Sequence, residues 1–223
     1  MDFTRKIYGY CERSNDPSFW AEPINAVTNG AFLLAALIAL ILAIRARRLD
    51  GPVIWLIALM AIIGTGSFLF HTTAEVWAAI ADSAPILIFI LSYFTIAMRC
   101  YAGYSWGRSF LLLGGFILTL VAVSYILNIL LRDLIGGSVS YVPALLALLV
   151  IGLWLNARQH PAGWWLVAVA GIFTVSLTAR AIDLPLCEQI PHGTHWAWHV
   201  LNGLVLGTLT VALIRHGGPK ASD

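Results

Sequence analysis

The sequence has 223 residues, of which 60% are hydrophobic and only 11% charged, with a formal net charge of +2. Soluble domains carry about 25% charged residues, so this composition excludes an ordinary soluble domain. The basic residues are scattered rather than striped, which gives no signature of nucleic-acid binding.

Residues 1–23 form a polar head that lacks the apolar core of a signal peptide. Seven charge-poor stretches follow, at about 24–44, 53–74, 76–98, 109–131, 139–157, 162–182 and 194–214. Each is long enough for a tilted membrane-spanning helix, the form in which a chain bonds its own backbone groups in lipid. No linker, low-complexity tract or repeat divides them. The expectation is therefore one all-α domain over residues 1–223, an integral membrane bundle of seven transmembrane helices.

The basic residues predict the orientation. Arg45, Arg47 and Arg48 follow the first span, Arg99 and Arg108 lie between the third and fourth, Arg158 between the fifth and sixth, and Arg215 and Lys220 after the last. The other side holds Arg5, Lys6, Arg13, Arg132 and Arg180. The larger set marks the cytoplasmic side, which puts the N-terminus outside and the C-terminus in the cytoplasm. Trp55, Trp77, Trp106, Trp164, Trp165, Trp196 and Trp198 lie near predicted boundaries, where they read as interface anchors.

Ionisable groups inside spans are costly, so each is a candidate site residue. The second span ends in "SFLFH", with Ser67 and His71 one helical turn apart. The third span carries Asp82. The seventh begins "HWAWH", which puts His195 and His199 on one helical face. With this topology, and about 1.5 Å of rise per residue, all five residues lie within roughly 10 Å of the outer boundary. Three imidazoles with an open fourth position are the ligand set of a catalytic zinc site. Asp82 is placed to accept a proton from a water there, and Ser67 to donate to a developing oxyanion.

Each residue also has an ordinary reading by itself. His71 would be an interfacial histidine bonded to a carbonyl, Asp82 a partner of Arg180 or a helix cap, and Ser67 a back-bonded serine in the small-residue stretch "GTGS". Their common depth favours the metal reading. His192 is a competing ligand, ranked lower because it follows Pro191 and precedes the helix. His160 and His216 fall on the opposite side.

These residues also carry a family pattern. "SFLFH", Asp82 and "HWAWH", with "YCE" at 10–12, "FWAEPINAVTN" at 19–29 and "DLPLC" at 183–187, together resemble the alkaline ceramidases. Those are seven-helix zinc amidases in a superfamily shared with the adiponectin and progestin receptors. The resemblance implies zinc on His71, His195 and His199, Asp82 as base and then acid, and Ser67 assisting the zinc site or the oxyanion. It implies hydrolysis of a ceramide-like lipid substrate, entering from the bilayer between helices. It also implies calcium in the N-terminal segment, with Glu12, Glu22, Asn25, the Tyr10 carbonyl and Ser14 or Asn15 as candidate ligands, although Gly9 stands where the family has an acidic ligand. Cys11 and Cys187 both fall on the outer side, where disulfides persist, and the family pairing implies a bridge between them; Cys100 falls inside and free.

Three function classes follow. A lipid amidase needs a base beside an open metal position, which Asp82 and Ser67 favour. A receptor or sensor of the same superfamily needs only a structural metal. A proton-coupled transporter using the histidines as a relay requires broken helices paired in two symmetric halves, and no such repeat is seen.

Overall fold

The computed structural model describes residues 2–218. Lys220, one of the basic residues used for orientation, lies outside them. Seven helical segments are long and apolar enough to cross a membrane, as a multi-pass membrane protein requires. The first is α1 (Pro23–Thr28) followed, after Asn29, by α2 (Gly30–Arg45). Then come α3 (Gly51–Thr73), α4 (Val76–Cys100), α5 (Trp106–Ile135), α6 (Val142–Ala157), α7 (Ala162–Ala181) and α8 (His195–His216). A short 3₁₀ segment, Gly136–Tyr141, leads into α6. Among the described residues no β-strand occurs; one isolated bridge, Lys6 to Glu75, docks the head on the α3–α4 corner.

Local chemistry explains where the helices start and stop. Proline stands in the first turn of α1, α3 and α6, where its missing N–H costs nothing and its fixed φ suits the helix. The Ser105 hydroxyl accepts the Arg108 N–H to open α5. At the end of α3, Ala74 turns left-handed at φ 52° and its N–H closes on the Phe70 carbonyl.

The helices are not equally enclosed. α8 is the most buried span and α5 the least. α8 packs against α7 and α2, and α3 against α4 and α2, so the two helices bearing the candidate histidines lie inside the bundle. The outer face of α5 exposes Leu111, Leu118, Tyr125, Ile129 and Leu130. A continuous apolar face of this kind is a liability in water but matches lipid tails.

One close approach sets the register of α3 against α4. Pro85 stands inside α4 and has no N–H to give the carbonyl of Ala81, its i−4 neighbour. That carbonyl abuts α3 at Gly66, where any Cβ would collide with it. A glycine on one helix and a proline on the other therefore bring the Ser67 and Asp82 positions side by side.

Trp198 departs from the interface role expected of it. It is buried, within 4.9 Å of the Tyr141 ring and 6.0 Å of the Phe173 ring between centroids. Its position explains this: residues 195, 198, 199 and 202 recur at helical spacing, and all four face the interior.

The head is fastened to the bundle. Cys11 and Cys187 form the expected disulfide, with Cα atoms 5.3 Å apart. The buried Asp183 carboxylate, just beyond α7, works on both sides of it: Oδ2 accepts the Cys11 N–H, and Oδ1 accepts the N–H groups of Thr194 and His195 at 2.7 and 2.9 Å. A carboxylate from another segment thus satisfies two of the orphan donors at the start of α8. Gly193, at φ +61°, lies so close that a Cβ would strike that carboxylate.

The bridge closes a separation of 176 residues, for which loop-closure entropy sets an upper stabilisation of about 5 kcal/mol. Cys187→Ser is expected to lower the thermal unfolding midpoint in detergent and to open the head to limited proteolysis. An unchanged midpoint and digestion pattern would contradict that role.

Candidate metal centre

α3 delivers His71 in its last turn, and α8 delivers His195 and His199 in its first two turns. All three side chains are buried. One potential ligand atom from each lies within 4.8 Å of the others. The ring centroids are 4.6 to 5.2 Å apart.

The hydrogen bonds define which nitrogens are available. His71 Nδ1 lies 2.5 Å from Glu22 Oε2. A carboxylate only accepts, so Nδ1 carries the proton and Nε2 the lone pair. His199 Nδ1 lies 3.0 Å from the Thr28 hydroxyl, which gives its own proton to the Ile24 carbonyl at 2.8 Å. His199 Nδ1 is therefore also the donor and Nε2 the lone pair. Both Nε2 atoms, and His195 Nδ1, are buried without a protein partner. Buried polar atoms rarely go unpaired. Three of them in one cluster fit a metal ion, and all-nitrogen ligation with a carboxylate behind one imidazole suits zinc.

The His195 ring is fixed by stacking. Tyr10 lies over it at 3.7 Å between centroids and 21° between planes. Burial pushes the Tyr10 phenol well above its usual range, so it remains a hydroxyl donor. Burial would also raise the Glu22 carboxyl, but the hydrogen bonds from His71 and Arg13 outweigh it and hold it below the usual carboxylate range. His71 is thereby backed by an anion.

Asp82 is half-buried, whereas Ser67 is almost fully enclosed. The Asp82 carboxylate interacts with the Ser67 hydroxyl and lies within the fields of His71 and Arg180. Arg180 forms no contact ion pair with Asp82 among the described residues; its Nη1 donates to Ser138 Oγ at 3.0 Å. The guanidinium also lies 5.5 Å from the ring centres of both Tyr141 and Trp198.

Two cavities flank this cluster. One is an apolar crevice among α4, α6, α7 and α8, lined by Phe89, Tyr93, Phe173, Trp198 and Leu206. The other, toward the head, is lined by Tyr10, Ser138, Arg180 and Asp183. His192 is exposed and stands outside the histidine group. His216 ends α8, and His160 precedes α7, at the far end of those helices.

Of the residues assigned to calcium by resemblance, Asn25 Oδ1 is buried without a partner, whereas the carboxylates of Glu12 and Glu22 are engaged by the protein itself. Both Glu12 oxygens accept backbone N–H groups, from Ile24 at 2.7 Å and Asn25 at 2.8 Å, and so cap the first span. Glu22 Oε1 accepts from Arg13, and Oε2 from Asn25 Nδ2 as well as His71. The Tyr10 carbonyl accepts the Ser14 N–H, and Ser14 and Asn15 are exposed. Sequence reasoning missed three supports of the centre: Arg13, Thr28 and the capping role of Asp183. Only "AEPINAVTN" hinted at one of them, by placing Glu22 and Thr28 six residues apart on the entry to the first span.

The fold and site define a class: a seven-helix membrane protein with three buried histidines grouped beside a carboxylate. The chain belongs to the ceramidase family, whose model matches residues 8–217. That match takes in the head from residue 8 onward, the histidines, Asp82 and both bridging cysteines. No curated protein matches the chain.

If Glu22 orients His71, Glu22→Gln should weaken metal binding about 10–100-fold, read by competition with a chromophoric chelator. Unchanged affinity would reduce Glu22 to a packing role.

Proposed function

We propose that the protein is a zinc-dependent lipid amide hydrolase of ceramidase type, converting a ceramide to a sphingoid base and a fatty acid. One arrangement carries this reading: three buried imidazole nitrogens without protein partners, with the partly buried Asp82 carboxylate in the field of His71. A site that held metal for structure alone would have no use for that carboxylate. Family membership supports the same reaction class.

His71, His195 and His199 would hold the zinc, through Nε2 in His71 and His199. When bound, zinc would supply Lewis acidity, polarising the amide carbonyl and making a water more acidic. Asp82 accepts the proton that the attacking water loses as its oxygen bonds to the carbonyl carbon. It then returns that proton to the amide nitrogen as the C–N bond breaks, so the products are an amine and a carboxylic acid. Ser67 holds the Asp82 carboxylate, a positioning task beside the oxyanion role that its spacing suggests. Glu22 and Thr28 keep the imidazole protons on Nδ1.

The substrate's chains fit the apolar crevice, entering from lipid between the helices. Its polar end faces Tyr10, Ser138 and Arg180. This reading puts the metal centre on the non-cytoplasmic side, supported by the basic residues and by a disulfide a few residues from the centre.

Asp82→Ala is expected to lower ceramide hydrolysis by at least about 10²-fold while the detergent-purified protein keeps one zinc per chain. His199→Ala should lose the zinc itself. Elemental analysis beside a fatty-acid release assay checks both, and full turnover by either variant would remove the assignment.

A further inference from the structure

Arg13 comes from the polar head, yet it is only 1% exposed. Its guanidinium is surrounded by oxygen. Nε donates to Glu22 Oε1 at 2.6 Å. Nη1 donates to the carbonyls of Asp16 and Ser18 at 3.1 and 2.8 Å. Nη2 donates to the carbonyls of His71 and Thr72 at 2.9 and 3.3 Å. A guanidinium has five N–H donors in a fixed fork, and here they meet five acceptors. The carbonyls of His71 and Thr72 belong to the last turn of α3, which has no helical N–H left to bond them and where a positive charge is favoured.

One carboxylate and four carbonyls form the oxygen set that a hard divalent cation prefers. An arginine stands at its centre. The same Glu22 binds His71 through its other oxygen, so a covalently attached cation and a metal-ligating histidine share one buried anion.

We propose that Arg13 is a positioning residue that takes the place of a bound calcium ion, holding Glu22 against His71 so that the metal centre forms without a second metal. The link to zinc rests on the metal-centre reading above; the statement about calcium does not. The guanidinium cancels the charge of Glu22 and joins the head to the end of α3. Glu22 then has one oxygen directed at His71 Nδ1, which leaves Nε2 for the metal.

The test uses the full-length protein in detergent, freed of divalent ions. Calcium alone is titrated into wild type by calorimetry. Zinc affinity is measured by chelator competition with and without 1 mM calcium, in wild type, Arg13→Ala and Arg13→Lys. Wild type is expected to bind no calcium, and its zinc affinity should not respond to it. Arg13→Ala should bind zinc at least tenfold more weakly and recover in part with millimolar guanidinium or calcium, a rescue that general loss of folding would not show. Arg13→Lys, which keeps the charge but cannot reach five acceptors, should fall between, and it decides the matter if Arg13→Ala does not fold. Stoichiometric calcium binding by wild type, or zinc affinity unchanged in the variants, overturns the proposal. A wild type that takes up no zinc sinks the metal centre and the zinc half of the proposal together, while the calcium titration still decides the other half.

Discussion

The carboxylate of Glu22 is the contact around which the site is organised. A buried anion is costly unless every lone pair is engaged, and here Arg13, His71 and Asn25 engage it. Removing one partner of such a buried pair typically costs about 3–5 kcal/mol, because the other charge is left uncompensated. That constraint ties the head and the adjoining start of the first span to the end of α3, 49 residues further along the chain. The position of His71 Nε2 follows from it.

Around that anchor, rigidity and access are divided between different residues. The histidines are enclosed and their ring orientations are set by Glu22, Thr28 and the Tyr10 stack. Asp82 is less enclosed than they are, on a helix relieved of one backbone hydrogen bond by Pro85. A proton-transfer group needs contact with a substrate, whereas metal ligands need to be held still. The Gly66–Ala81 approach serves both needs, since it packs two helices tightly at the depth where one carries Ser67 and the other Asp82.

The surroundings suit a substrate that lives in lipid. The apolar crevice ends at Tyr141 and Trp198, and Arg180, which lines the head-side cavity, lies against both rings. A molecule with apolar chains and one polar end finds both environments here, the second beside Tyr10, which stacks on His195. The Asp183 cap and the nearby disulfide stiffen the start of α8, so that the two histidines on that helix hold their places whether or not a lipid fills the crevice.

Much of this was legible in the sequence. Apolar runs bounded by charge are a local property, so all seven spans could be located, and the structure moves their ends by three residues or fewer, apart from the longer C-terminal end of α5. Helical spacing put His195 and His199 on one face, and antiparallel topology brought His71 and Asp82 to the same depth. The support of the site was not legible, because it depends on where side chains from distant segments meet. Trp198 looked like an interface anchor by its place in the chain and became a core residue by its place on the helix. Glu12 and Glu22 looked like calcium ligands by motif. Only the folded chain could show that backbone N–H groups claim the first, and that the guanidinium of Arg13 fills the space beside the second. Sequence alone determined the number of membrane spans and the residues able to bind metal, since both follow from spacing along one chain. Tertiary structure decided which nitrogens are free and which cation neutralises Glu22, since those depend on distances between segments that share no local pattern.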